Sequence, residues 1–200
     1  MTSWFISLIM LAFVMSVTPG PNNVIFAASG GRVGFLGTLP IMVGMLVGFA
    51  SVIGLCAAGI GSAVGDSKRA QILLSLSAAA YMVWLAWRLW VTAGKAAAAT
   101  DSAYTSGVAM LLLQGLNPKT WLASVAFVSG FLGLNSPGGW WVDVLGVASF
   151  LAVVTISAIL WTVFGASLRM RRDLRGFAVF NRFLSILAAV TALGMLRAVL

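Results

Sequence analysis

The sequence contains no histidine, no glutamate and only one cysteine, so most familiar sets of catalytic or metal-binding residues are absent. Cys56 lies in an apolar run without a second cysteine, which excludes an intrachain disulfide and a cysteine-based metal site. The acidic residues all fall at the ends of apolar runs: Asp66, Asp101, Asp143 and Asp173. We therefore predict that the protein is not an enzyme and needs no cofactor or metal, with a dyad of a serine and Lys119 as the one alternative.

Charged residues are scarce as well, at 8% of the 200 residues, while hydrophobic residues make up 61%. A soluble domain has about 25% charged residues, so this chain has too little polar surface to cover a water-soluble globule. Its apolar runs are far longer than the roughly 10-residue alternating strands of a membrane barrel. The sequence predicts an all-α integral membrane protein.

Six apolar segments are predicted as membrane-spanning helices, at about 3–28, 39–61, 70–91, 107–132, 144–166 and 181–199. The first joint contains Gly30, Gly31, Arg32 and Gly34. A polar linker between Gly94 and Ser106 divides one transporter-sized domain, residues 1–200, into halves of about 1–98 and 103–200. Because each half has three spans, the second enters the membrane from the opposite side, which predicts two inverted three-helix repeats.

The net charge of +8 is explained by membrane topology rather than by nucleic-acid binding, because the basic residues mostly flank apolar runs. Eight lysines and arginines fall on the side of the first, third and fifth joints, and three fall on the other side. The positive-inside rule then places the first side in the cytoplasm and both termini outside.

The first predicted helix is interrupted by the sequence Thr-Pro-Gly-Pro-Asn-Asn at positions 18–23. Pro19 and Pro21 remove two backbone donors, and Gly20 supplies a flexible joint, so a new half-helix is expected to begin at Pro21. Its positive end would suit a carboxylate, and Asn22 and Asn23 add amide groups for an ammonium or hydroxyl. The alternative is a proline kink in which the asparagines only repair the backbone.

The fourth predicted helix is interrupted at Asn117, Pro118 and Lys119, where Asn117 is a suitable N-cap and Pro118 a suitable first residue for a half-helix ending near Phe131. Insertion of a lysine at the centre of a membrane helix costs about 2.5–3.5 kcal/mol, so Lys119 is unfavourable at this position. A transported anionic group or a cluster of carbonyls would offset that cost. Alternatively, Lys119 snorkels to the membrane interface, which its neighbour Trp121 would mark.

Two further features favour packing roles. Gly44 and Gly48 give the second segment a small-residue face for close contact, within the chain or in a homodimer, and contact within the chain is favoured. Thr155 and Ser157 lie inside the fifth segment, where hydrogen bonding to the backbone is favoured over facing a pathway.

The two interrupted helices, the length and the six spans resemble the LysE/RhtB family of amino-acid exporters over essentially the whole chain. Residues 79–87 and the glycines at 44 and 48 are similar to the cysteine/O-acetylserine exporter branch of that family. The resemblance implies export of amino acids or close derivatives through the bacterial cytoplasmic membrane by proton antiport. It also implies a central pathway formed by Pro19, Gly20, Pro21, Asn22, Asn23, Asn117, Pro118 and Lys119.

Many relatives carry an aspartate in the fifth helix, whereas residues 153–157 of this chain contain no acid. Lys119 is then the titratable group left within a predicted helix, and we hypothesise that it serves in proton coupling. We expect a zwitterionic amino acid as the bound partner, its carboxylate on the half-helix N-termini and Lys119, with membrane lipids around the protein and no nucleic acid. Alternatives are a channel or importer for another small solute, or a membrane scaffold that transports nothing.

Overall fold

The structure, a computed structural model, describes residues 1–18, 20–93, 105–170 and 174–197. Over these ranges every regular element is helical, which confirms the all-α prediction. The helices are α1 Thr2–Val17, α2 Pro21–Ala57, α3 Ile60–Asp66, α4 Lys68–Thr92, α5 Gly107–Leu116, α6 Pro118–Phe131, α7 Gly139–Met170 and α8 Leu174–Arg197, with a 3-10 turn at Gly133–Asn135. The predicted boundary between the halves, near residues 98–103, lies outside the described residues.

Within the described ranges, four helices are long and apolar enough to cross a membrane, and they lie in α2, α4, α7 and α8. Large apolar side chains point outward from them, including Leu36, which is 77% exposed, and Trp140, which is 79% exposed. Outward-facing apolar residues of this size fit a lipid environment. Two shorter apolar helices, α1 and α5, each end at one of the predicted interruptions.

Helix α2 is too long to be one span. Its 37 residues would extend about 55 Å as a straight helix, against roughly 30 Å of hydrocarbon. Gly34, with φ 76° and ψ −177°, lies in a region that favours glycine and divides α2 into two helical parts. The sequence predicted a joint across Gly30 to Gly34, but the structure confines the turn to Gly34 and keeps the residues before it helical.

The helices around the centre pack through aromatic rings. Phe26 of α2, Phe127 of α6 and Phe150 of α7 are fully buried. The ring centroids of Phe127 and Phe150 are 4.7 Å apart, and Phe49 lies 5.7 Å from Phe150. Inside a bilayer such packing, rather than exclusion of water, supplies the attraction between helices. This aromatic cluster lies against the ends of the interrupted helices.

Helix α2 also makes backbone contact with α5 and with α7 at glycines. A Cβ atom at Gly44 would lie 1.9 Å from the carbonyl oxygen of Gly107, and one at Gly48 would lie 2.6 Å from the α5 backbone. A Cβ at Gly165 would lie 2.0 Å from Ala27 O. No side chain fits at these crossings. The prediction that the Gly44 and Gly48 face packs within the chain is confirmed.

Candidate functional site

The first interruption separates α1 from α2. Helix α1 ends at Val17, and the hydroxyl of Thr18 donates to Val14 O at 2.8 Å. Gly20 is extended, and Pro21 is the first residue of α2, as predicted. Proline is tolerated there because an N–H at this position would have no partner within the helix. Pro19 lies outside the described residues.

Asn23 directs its amide nitrogen at the carboxyl end of α1. Its Nδ2 donates to Ser16 O at 2.9 Å and to Thr18 O at 3.1 Å, with Val17 O at 3.5 Å. Ser157 of α7 donates its hydroxyl to Ser16 O at 2.9 Å. These donors satisfy carbonyls that have no partner at a helix end. The sequence analysis gave two roles for Asn23, contact with a substrate or repair of the interrupted backbone. For its amide nitrogen, the structure shows the second role.

The second interruption lies between α5 and α6. Helix α5 ends at Leu116, and Pro118 is the first residue of α6. The side-chain oxygen of Asn117 accepts from the backbone N–H of Lys119 at 3.1 Å, and its carbonyl accepts from the N–H of Thr120 at 3.0 Å. The predicted N-cap is confirmed, and it leaves those two N–H groups less available to a substrate carboxylate.

Lys119 joins the two interruptions. Its ammonium nitrogen donates to Thr18 O at 2.5 Å and to Thr18 Oγ1 at 2.8 Å. It passes over Gly20, where a Cβ would lie 3.2 Å from Nζ and 3.3 Å from Cδ. The carboxyl end of a helix carries partial negative charge, so a cation is stabilised there. The sequence analysis predicted either a transported anionic group or a cluster of carbonyls to offset the cost of this lysine. The structure gives it one carbonyl oxygen together with one hydroxyl oxygen, both of Thr18.

Gln114 of α5 connects the same region to α2, and the sequence analysis did not identify it. Its Oε1 accepts from Asn22 Nδ2 and from Thr120 Oγ1, both at 3.0 Å. Its Nε2 donates to Met110 O at 3.2 Å and to Asn22 Oδ1 at 3.3 Å. The Asn117 amide also donates to Asn22 Oδ1 at 3.5 Å. We call Asn22, Gln114, Asn117 and Thr120 the amide cluster.

One feature of the sequence could have identified Gln114. It is a polar residue inside a predicted membrane span, and such residues are costly and commonly functional. Gln114 is 0% exposed, and its side-chain oxygen and nitrogen each make two hydrogen bonds. A buried amide with this many partners holds its neighbours in place.

A cavity of about 30 Å³ lies between the two interruptions. Polar groups line one part of it: Ser16, Asn22, Asn23, Asn117, Lys119, Thr120 and Ser157. Apolar side chains line the rest: Met15, Phe26, Met45, Phe49, Phe150 and Val154. Among these lining residues Lys119 is the one with a formal charge. Since a single water needs about 10–15 Å³, the cavity has space for very few waters.

Most of the predicted site residues meet at this cavity. Its lining includes Gly20, Pro21, Asn22, Asn23, Asn117 and Lys119. Pro118 starts α6 and is not among the lining residues. Thr155 donates to Leu151 O within its own helix at 2.7 Å, and Ser157 donates to Ser16 O, so both bond to the backbone as favoured. Ser157 also lines the cavity.

A helical membrane protein with a partly polar cavity between two interrupted helices has the architecture of a solute transporter. Comparison with known proteins agrees. The chain belongs to the LysE family, since the family model described as LysE type translocator matches residues 13–197. It is therefore a membrane transporter with several membrane-crossing helices.

Curated relatives cover nearly the same length. The chain is 32% identical over 182 residues to the cysteine/O-acetylserine efflux protein of Escherichia coli O1:K1, covering 88% of this chain and 87% of the relative. It is 32% identical over 179 residues to the protein of the same name in Escherichia coli strain K12, with the same coverage of both chains. No solved structure gave a significant match.

Proposed function

We propose that the protein exports a small amino acid or a close derivative across the bacterial cytoplasmic membrane, and that the cavity between the interruptions is its substrate site. The observation that carries the proposal is the meeting of a lysine ammonium, helix ends and side-chain amides at one small cavity with an apolar wall. This combination suits a zwitterion with a short, uncharged side chain. Relatives named for cysteine and O-acetylserine efflux support the same substrate class.

The proposed membrane arrangement has six spans. The first combines α1 with α2 up to Gly34, and the second is the rest of α2; α4 is the third. The fourth combines α5 and α6, followed by α7 and α8. Each half then consists of one interrupted helix followed by two others. This correspondence supports the proposal of inverted repeats, with rocking of one half against the other giving alternating access.

We also propose cytoplasmic placement for the basic joints, which puts both termini outside. The excess of lysine and arginine on that side supports this orientation. For energy coupling we propose proton antiport, with Lys119 as the group that gains and loses a proton. Its place at the junction of both interruptions supports this role, because a change in its charge would act on both halves at once.

Efflux from intact cells tests the proposal. Cells are preloaded with a mixed amino-acid pool, and the medium is analysed by mass spectrometry for the native chain, Lys119→Met and Lys68→Met. Lys68 is exposed at the start of α4 and serves as the matched control for loss of a lysine charge.

We expect cysteine, O-acetylserine or similar small amino acids to appear with the native chain and the control, and to fall sharply with Lys119→Met at equal protein abundance. If no amino acid is released by the native chain, another solute or a scaffold role replaces the proposal. If Lys119→Met exports normally at every pH, both its substrate and its proton role are wrong.

A further inference from the structure

The carboxyl end of α1 has the features of a site for a primary ammonium group. Thr18 presents its carbonyl oxygen and its hydroxyl oxygen to the same nitrogen, Lys119 Nζ, at 2.5 and 2.8 Å. The two acceptors sit where the helix dipole favours a positive charge. Gly20 leaves the space through which the cation approaches, because a side chain there would contact Nζ. A cation from another helix, the ammonium of Lys119, already occupies these acceptors. The site therefore does not rest on the helix end alone.

A lysine side chain ends in the group R–NH₃⁺, which is also the group at the α-carbon of an amino acid. Both offer three N–H donors on one compact charge. Acceptors arranged for one therefore suit the other. No carboxylate lines the cavity in the described part of the chain, so backbone carbonyl and hydroxyl oxygens are the acceptors it offers to a substrate ammonium.

We propose that Thr18 forms the subsite for the substrate's ammonium group, and that Lys119 occupies this subsite as a tethered substitute while the transporter is empty. The inference rests on the proposed export function and deepens it. An arriving amino acid displaces the lysine ammonium from Thr18 O and Oγ1. The released ammonium stays in the same cavity, where it pairs with the substrate's carboxylate.

The exchange has a consequence for movement of the helices. While Lys119 holds Thr18, it ties α6 to the end of α1. Displacement by substrate cuts that tie, so the loaded transporter is freed to change conformation. Compounds without a free ammonium group, such as N-acetyl amino acids, do not displace the lysine and are not carried.

The test removes the tethered ammonium and supplies a free one. Purified Lys119→Ala is compared with the native chain in liposomes, with methylammonium or tetramethylammonium on both sides. We expect Lys119→Ala to exchange amino acids at about a tenth of the native rate or less, because it loses the ammonium that pairs with the substrate's carboxylate. Methylammonium should restore several-fold activity, and tetramethylammonium, which has no N–H donor, should not.

A binding measurement keeps this test independent of transport. Methylammonium should raise the thermal unfolding temperature of Lys119→Ala in detergent and leave that of the native chain unchanged, since its site is already filled. The native chain could transport amino acids while methylammonium changes neither the activity nor the unfolding temperature of Lys119→Ala. That result overturns the proposed subsite and leaves the proposed export function standing. Absence of transport by the native chain, with the unfolding response present, overturns the proposed function instead.

Thr18→Val provides a second variant if Lys119→Ala does not fold. It removes the hydroxyl acceptor and keeps the carbonyl. Its effect is measured in the Lys119→Met background, because in the native chain the lysine and the substrate would lose the same acceptor and the two effects would cancel. In that background we expect Thr18→Val to raise the half-saturating concentration for amino acids about tenfold or more, as for loss of one hydrogen bond to a charged group. Thr18→Ser, which keeps the hydroxyl, should match the Lys119→Met single variant. An unchanged half-saturating concentration in the double variant with Thr18→Val contradicts the proposal.

Discussion

Replacement of Gln114 by leucine should destabilise the protein, because it removes the centre of the amide cluster. The native side chain makes three hydrogen bonds to Asn22 and Thr120 and one to Met110 O. Leucine has a similar volume and makes none of them, which leaves the Asn22 amide and the Thr120 hydroxyl without this partner. Orphaned buried groups cost about 1–3 kcal/mol each in soluble proteins, and hydrogen bonds between membrane helices average about 0.6 kcal/mol, so we expect a loss of about 2–4 kcal/mol.

Thermal unfolding in detergent measures this loss. For a chain of this length, about 2–4 kcal/mol corresponds to a decrease of roughly 5–15 °C in the unfolding temperature. Gln71→Leu is the matched control, since Gln71 is an exposed glutamine on α4, and its unfolding temperature should stay close to native.

A double-mutant cycle with Asn22→Ala examines the pairing itself. If the two side chains stabilise each other, Asn22→Ala should cost clearly less in the Gln114→Leu background than in the native chain. A decrease of under 2 °C for Gln114→Leu, or additive effects of the two substitutions, would refute the reasoning.

Three further predictions concern packing, topology and coupling. Gly44→Val should abolish accumulation of folded protein in the membrane, because its Cβ would lie 1.9 Å from an α5 carbonyl oxygen, whereas Gly54→Val, with nothing within 4 Å, should accumulate normally on immunoblots of membrane fractions. For topology, Asn135→Cys should react with a membrane-impermeant maleimide in intact cells, whereas Ser106→Cys should react only after permeabilisation. The native chain serves as the control for labelling of Cys56. The reverse pattern would mean that the proposed orientation is inverted. Export by Lys119→Met should lose its dependence on the pH gradient along with most of its rate, and a residual export with native gradient dependence would exclude a proton role for this lysine.

The interruptions could be predicted because their causes are local. Proline lacks an N–H and asparagine caps helices, so the ends of α1 and α5 follow from the residues that occupy them. The start of α6 at Pro118 and of α2 at Pro21 are found where the sequence placed them. The turn at Gly34 was placed only within a five-residue region, because several residues there permit a bend. The close packing of Gly30 and Gly31 against α7 depends on contacts between distant parts of the chain.

The pairings across the chain could not be predicted. Gln114 and Asn22 are 92 positions apart, and Lys119 and Thr18 are 101 apart. Their contacts depend on how the halves dock, which no local rule encodes. The direction of the Asn23 amide was open for a different reason, since backbone repair and substrate binding require the same residue type.

The glycine crossings of α2 with α5 and α7 also bear on the movement that we propose for transport. At Gly44 and at Gly165 two main chains touch with no side chain between them. Interdigitated side chains resist sliding because each must leave one slot and enter another, whereas smooth backbone surfaces can roll over each other without any rotamer change. We therefore expect the helices to tilt about these glycine crossings with α2 during the proposed transport cycle, rather than to shift along their axes.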